Sequence, residues 1–367
     1  MKKKTMGRLL LLVSTLTLLE AGARVFFSRN WHGFEQTRKF LSGDALPDPV
    51  SQVCIPQPYL LYIPAPKYVN AQGPQHNGQG YRGRPVTIER TPGVTRILCM
   101  GGSTTYGWGV ALPDEAYPAL LEKELNELNE NRPEGATRVE VINAGVPSGT
   151  SAELLTHYQF KFHYYRPDLV IVHTGINDAI AMHAKYYHPD YSNCRRQVQL
   201  PEPLPPFGRC LLRSRLFSLF LIPVIKGPYP SAAFYSADGQ PPYAIWFDKG
   251  QASDGTTSIA NIPPEHLAFR HNLNMLFDQF DRDNARILVF PERMNPNWHE
   301  PYGPEFAYAE NVLQEVAEAR GITYAPLPAD VVTLGNWFDE CHTNTEGNLE
   351  IARYISSYAT RVLLSDP

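Results

Sequence analysis

From Thr95 onward the chain alternates short apolar runs with longer stretches whose apolar residues recur at helical spacing. The runs at 96–100, 139–142, 168–172, 287–290 and around 322–325 predict five strands. The stretches 117–128, 151–164, 264–280, 305–319 and 346–364 predict helices between and after them. A strand that is apolar along nearly its whole length has no polar face, which is the signature of a parallel sheet covered on both sides. The expected fold is therefore α/β: a three-layer α/β/α sandwich around a five-stranded parallel, flavodoxin-like sheet, spanning 95–367. Two regions break the rhythm. Residues 28–94 form an irregular lead-in rich in Pro, Gly and Tyr, with strand-like pieces such as 59–63. A long insert at about 185–262 is rich in Pro, Tyr and Phe. Its apolar segment 211–225 carries Arg213 and Arg215 and is too short for a second membrane span, so it reads as a helix on the core or at a membrane surface.

The first 27 residues have a different pattern. Lys2, Lys3, Lys4 and Arg8 precede the apolar residues 9–19, a run of about 17 Å as a helix against a bilayer core of about 30 Å. That length suits a signal peptide, with Ala21-Gly22-Ala23 as the cleavage site. Alternatively the helix continues through Arg24-Val25-Phe26-Phe27, with Glu20 and Arg24 paired on one face, and stays as an anchor. In both readings the cationic end remains in the cytoplasm and the rest is exported. The protein is then either held at the cell membrane facing the periplasm or exterior, or secreted after cleavage behind Ala23.

Composition narrows the function classes. The 367 residues are 43% hydrophobic and 19% charged with a net charge of −4, which excludes a disordered chain and a basic nucleic-acid-wrapping surface. Of five cysteines, Cys194 and Cys210 bracket a Pro-rich loop and suit a disulfide in an oxidising compartment. Cys99 lies in a predicted buried strand, and Cys54 and Cys341 have no assignable partner. No CxxC or HExxH spacing occurs, so neither a catalytic metal nor a cofactor is expected.

Ligands of open parallel sheets bind beyond the carboxyl ends of the strands. After the first strand stands Gly101-Gly102-Ser103-Thr104, after the second Asn143-Ala144-Gly145, after the third Gly175-Ile176-Asn177-Asp178. Before the last helix comes Asp339-Glu340-Cys341-His342. A serine hydroxyl needs a base to take its proton as it attacks, and His342 suits that task. Asp339, three residues earlier, would hold the imidazole through Nδ1. Ser103 and Gly145 would supply backbone N–H groups, and Asn177 its side-chain amide, to the negative charge that develops on a carbonyl oxygen. Asp178 reads as a structural acceptor. The aromatic residues Tyr186, Tyr187, Tyr191, Phe234, Tyr235, Tyr243, Trp246 and Phe247 read as packing for the insert, with a substrate-lining role as the alternative.

These blocks, in this order, resemble the SGNH/GDSL hydrolase family, with Asn77-Gly78-Gln79-Gly80-Tyr81-Arg82-Gly83 similar to the lead-in of membrane-anchored bacterial members. Gly102 departs from the aspartate of the family name. The resemblance implies a serine esterase with Ser103, Asp339 and His342 as its triad and Ser103, Gly145 and Asn177 around the oxyanion. It would act on a carboxylic ester, with O-acyl groups of an envelope glycan or lipid as candidate substrates. Two alternatives share these residues: an O-acyltransferase, in which a sugar hydroxyl replaces water, and a non-catalytic glycan-binding or assembly protein.

Overall fold

The computed structural model describes residues 2–30, 38, 53–57, 59–130, 137–183, 187, 189, 191, 206–225, 267–297 and 303–364. Along the chain run helix α1 (Lys2–Asn30), the antiparallel pair β1 (Cys54–Gln57) and β2 (Leu61–Pro64), and the short pair β3 (Val69–Asn70) and β4 (Gly73–Pro74). Then come β5 (Val94–Gly101), α2 (Ser103–Tyr106), α3 (Tyr117–Glu130), β6 (Arg138–Gly145), α4 (Ser151–Phe160), β7 (Leu169–Thr174) and α5 (Ile176–His183). The insert contributes α6 (Pro206–Leu211) and α7 (Arg215–Ile225). The chain closes with α8 (Ala268–Arg282), β8 (Arg286–Pro291), α9 (Gly303–Ala319), β9 (Thr323–Tyr324) and α10 (Thr345–Leu364). Two compact units emerge, one of residues 1–52 and 196–242, the other of 53–195 and 243–367.

The second unit contains the expected sheet. Its five strands are parallel in the order β6-β5-β7-β8-β9. Alternation along each strand explains why the runs look uniformly apolar. Leu98, Met100, Val170 and Val172 face one core, built with α4, α5, α8 and α9 through residues such as Tyr158, Met182, Phe277 and Leu313. Ile97, Cys99, Leu169 and Ile171 face the other, built with α3 and α10 through Leu121, Leu125, Ile351 and Ile355. Both faces are dry, so neither tolerates polar side chains except where these are paired.

The predicted elements hold with local corrections. The helix expected to reach residue 164 ends at Phe160, where Lys161 leaves helical geometry (φ −134°, ψ −59°) and a 3₁₀ turn follows over Phe162–Tyr165. Lys161 donates its ammonium to the Gly80 carbonyl (2.8 Å), which draws that turn toward the lead-in. The last strand shrinks to two residues plus one further bond from Ala325 N to Val289 O, because Pro326 has no N–H to continue the ladder. Of the insert's aromatics, Tyr187 and Tyr191 are buried in the first core. Ala268 N–H donates to the Tyr187 hydroxyl, and Tyr191 donates to Asp178. The other six aromatics and Cys194 lie outside the described residues, while Cys210 is exposed and unbridged.

Asp178 is the structural acceptor expected, fully buried and bonded to the N–H and hydroxyl of Ser151 and to Tyr191. Burial pushes its carboxyl up to about 7, against the downward pull of those hydrogen bonds. Since the unfolded group titrates near ~3.9, the folded state binds the proton more tightly. Its contribution to stability is complete below that value and fades as pH rises toward 7. Urea midpoints of the wild type should therefore carry a declining component between about pH 4 and pH 7 that Asp178→Asn removes. Parallel pH curves for the two proteins would contradict this assignment.

Candidate active site

The sheet register brings the strand ends to one rim. Gly101 pairs with Gly145 on one side and with His173 on the other. Directly beyond Gly101, α2 begins at Ser103, so the hydroxyl sits on the first residue of a single helical turn. Glycine at 102 leaves room there: a Cβ would stand 2.5 Å from the Asn177 amide nitrogen. Asn177 thus lies against the turn that carries Ser103.

Ser103 Oγ lies 2.7 Å from His342 Nε2. His342 Nδ1 lies 2.8 and 2.7 Å from the two carboxylate oxygens of Asp339. The 239-residue separation of Ser103 and His342 is closed by the sheet, which delivers both to the same rim. The Asp339 carboxylate also accepts the N–H groups of Cys341 (3.0 Å) and His342 (2.8 Å), which folds the loop around it. Burial would raise this carboxyl, but the hydrogen bonds and charge of His342 and the two backbone N–H groups outweigh it and hold it below the usual carboxylate range. The carboxylate is therefore ionised, which favours the tautomer with its proton on Nδ1 and a lone pair on Nε2. Around the loop, Asn295 donates to the carbonyls of Asp339 and Glu340. Buried Asn348, at the start of α10, donates to Thr343 and accepts the Tyr117 N–H. These bonds tie the histidine loop to both neighbouring layers.

Asn177 opens toward the same point from the first turn of α5. Its Nδ2 donates to Gly149 O (3.1 Å), which uses one amide proton and leaves the other. Gly145 stands at the end of β6 as expected, but its N–H is not free. Its N–H donates to the Asn143 side chain (3.0 Å), and a Cβ there would meet the Tyr106 backbone nitrogen at 2.2 Å. Glycine is required at 145 because α2 packs directly on the end of β6, and its donor is already engaged. The loop that follows carries Ser148 at φ 59°, a left-handed conformation that a non-glycine residue seldom adopts. Among the described residues the Ser148 N–H has no hydrogen-bond partner. Tyr62 donates to the Pro147 carbonyl (2.8 Å), which orients the Pro147–Ser148 peptide and turns its N–H the opposite way.

Other contributors escaped sequence reading. Glu292, immediately after β8 and 2% exposed, accepts the Thr104 hydroxyl and the Ile176 N–H (2.7 Å). It thereby joins the residue after Ser103 to the residue before Asn177. Burial raises its carboxyl, opposed by those two donors and by the charge of His342. The signal was available as an acidic residue abutting the apolar run of the fourth strand, the one strand end from which no candidate was drawn. The lead-in also reaches the site. Arg82, buried, donates to the carbonyls of Tyr106, Gly107 and Val110, and His76 Nε2 meets the Tyr106 hydroxyl at 2.7 Å. Burial lowers His76 to about 4, so this contact is made by a neutral ring near pH 7.

Among the described residues, one trio has metal-ligand chemistry at close range: Asp339, Cys341 and His342. Two of its members are bonded to each other, and no metal is assigned to them.

No curated protein matches the chain. Solved structures to which the chain is similar include a putative lipolytic protein of the G-D-S-L family from Desulfitobacterium hafniense DCB-2. It is 13% identical over 72% of this chain and 98% of that one, with a TM-score of 0.41. Others are the acetyl xylan esterase AlAXEase (15% identical, 72% and 99% covered, TM-score 0.40) and the psychrotrophic esterase EstA from Pseudoalteromonas sp. (12% identical, 74% and 100% covered, TM-score 0.41). The model of the GDSL-like lipase/acylhydrolase family matches residues 99–349, which contain all the strand-end blocks described above. With that match over most of its length, the chain belongs to the GDSL-like lipase/acylhydrolase family and is a hydrolase acting on ester bonds.

Proposed function

We propose that the protein is an exported, membrane-anchored serine esterase in which Ser103, His342 and Asp339 form the catalytic triad. The observation that carries this reading is the unbroken chain of contacts from Ser103 Oγ to His342 Nε2 (2.7 Å) and from His342 Nδ1 to Asp339 (2.7 Å). Ser103 attacks the ester carbonyl carbon as its proton passes to His342 Nε2, and Asp339 stabilises the resulting imidazolium. The negative carbonyl oxygen meets the Ser103 N–H, the free Asn177 amide proton and, in place of Gly145, the Ser148 N–H. His342 returns the proton to the leaving alcohol, and water then hydrolyses the acyl-serine by the same route. A fluorophosphonate should label Ser103 in the wild-type protein, and p-nitrophenyl esters of graded chain length should reveal the preferred acyl group. Failure of both labelling and hydrolysis would end the esterase reading. Turnover that depends on an added glycan acceptor would move it to acyl transfer.

Helix α1 supports the anchored location. Thr5–Val25 is long and apolar enough to cross a membrane, a description that a signal sequence also meets. Its leucines are exposed, for example Leu11 at 70% and Leu18 at 73%, so they have no protein core to occupy. An ester carried by an envelope glycan or lipid is the substrate class this location favours. Protein that partitions into membranes after sodium carbonate extraction, with an N-terminus still at residue 1, is the expected result. A mature N-terminus at Arg24 would instead mean cleavage.

Glu292 acts in this scheme as a positioning residue, because it sets the distance between the turn of Ser103 and the helix of Asn177. Glu292→Ala should lower kcat by about 10–100-fold with little change in KM, since small displacements of reacting groups cost that much. Glu292→Gln, which can still accept from Ile176 and pair with Thr104, should recover most of the rate. A loss of thermal stability with kcat unchanged in the alanine variant would leave Glu292 a purely structural role.

A further inference from the structure

Between the sheet and α10 lie two buried polar side chains that the catalytic scheme does not use. His173, near the end of β7, is 2% exposed and stands in register with Gly101 on one side and Phe290 on the other. Its ring stacks on Phe290 (centroids 4.0 Å apart) and meets the Tyr117 ring edge-on (5.6 Å). Burial lowers its pKa to about 3, against the opposing pull of the Pro291 carbonyl, so the ring is neutral. A neutral imidazole carries one N–H and one lone pair. Among the described residues neither ring nitrogen has a hydrogen-bond partner.

Trp337 is the second. It follows the 3₁₀ turn Leu334–Asn336, pairs with Thr343 across an antiparallel bridge and packs against the second core. Asp339 and His342 fall between those bridge partners in the chain, so Trp337 is part of the histidine loop. Its indole Nε1 is buried and also has no partner among the described residues. Buried polar groups left unpaired are rare, because each gives up its bonds to water with nothing in return.

Both side chains line one cavity, together with His342 and Thr343 of the loop and Asn348 and Ile351 of α10. Its volume is about 20 Å³. A single water needs roughly 10–15 Å³ of such space and at least two polar partners. Polarity also matches: the indole can only donate and the imidazole lone pair can only accept, and water does both. An ion fits worse. The indole N–H repels a cation, and Arg293, the one permanently charged side chain in the lining, is already engaged by the Leu327 carbonyl and Glu310.

We propose that one buried water binds in this cavity, accepting the Trp337 indole N–H and donating to the unprotonated ring nitrogen of His173, and so holds the histidine loop against β7. In the sheet His173 neighbours Gly101, two residues before Ser103, so the water fixes the loop of the base relative to the strand of the nucleophile. Trp337 and His173 are thus positioning residues. That role rests on the triad reading, whereas the water site does not.

A crystal structure of the full chain in detergent, at a resolution that shows ordered water, tests the site. One water should lie about 2.7–3.2 Å from both Trp337 Nε1 and one ring nitrogen of His173. A cavity without density, or a direct bond between the two side chains, would overturn the proposal. Kinetics test the coupling. Trp337→Phe and His173→Leu each remove one partner and keep an apolar side chain in place, and each should lower kcat about 3–10-fold with KM unchanged. The double variant should be no slower than the slower single one, because either change alone already releases the water. Losses that multiply would mean that the two residues act separately and would overturn the bridge. Ordered water in a wild type that hydrolyses no ester would overturn the triad reading and leave the water site standing.

Discussion

Ser103→Ala is expected to reduce ester turnover by a factor of about 10⁶, the loss typical of a nucleophile that works as a unit with its base. The fold should survive. The Ser103 hydroxyl makes its one described hydrogen bond to His342, and the residue lies at a partly exposed turn with no cavity to leave behind. The unfolding free energy from urea titration should therefore stay within about 0.5 kcal/mol of wild type. Turnover by the alanine variant close to that of wild type would remove Ser103 from the reaction, whatever the 2.7 Å contact suggests. Measuring both quantities separates a lost nucleophile from a lost fold.

The largest stability effect should come from Arg96, a charged residue in the interior strand β5 that is 2% exposed. Its Nε donates to Glu140 (2.8 Å) on the neighbouring strand. Its Nη1 donates to the carbonyls of Tyr165 (2.7 Å) and Ile88 (3.1 Å), and its Nη2 to Glu89 (3.4 Å). It thus stitches β5 to β6, to the 3₁₀ turn after α4 and to the end of the lead-in. Arg96→Ala should cost about 3–5 kcal/mol, because Glu140 and the Tyr165 carbonyl lose their partner while still buried. Arg84, 3.5 Å from the other Glu140 oxygen, softens the loss without replacing it. The double variant Arg96→Met/Glu140→Leu should recover much of it, since an ion pair removed whole leaves no stranded charge. A double variant as unstable as the single one would place the cost in lost packing instead.

The esterase reading depends on how far the linear pattern carries. The five strands, their parallel order and the helices on both faces follow from where apolar residues fall, because burial on two faces leaves no room for polar alternation. The proposed triad was legible for a related reason. Chemistry sits at strand ends, and each member stands directly after a strand or just before the last helix. Gly145 shows where that reasoning stops. A glycine at a strand end can free a donor or admit a neighbouring backbone, and both uses look the same in one dimension. The 2.2 Å gap to Tyr106 decides for the second. Glu292 was missed for the converse reason: its partners, Thr104 and Ile176, lie 188 and 116 residues away. Arg82 belongs with it, since nothing near it in sequence shows that it holds the backbone after Ser103.

The amino-acid order by itself determined the α/β architecture, the apolar N-terminal helix and the strand-end blocks that hold the proposed serine, histidine and aspartate. Each of these depends on local spacing or on periodic burial, which a linear pattern records. Tertiary structure decided which donors remain unpaired at the rim and which buried acid stands beside them. Those outcomes depend on close approaches between segments distant in the chain, where an ångström of backbone position determines whether a group is free or already bonded.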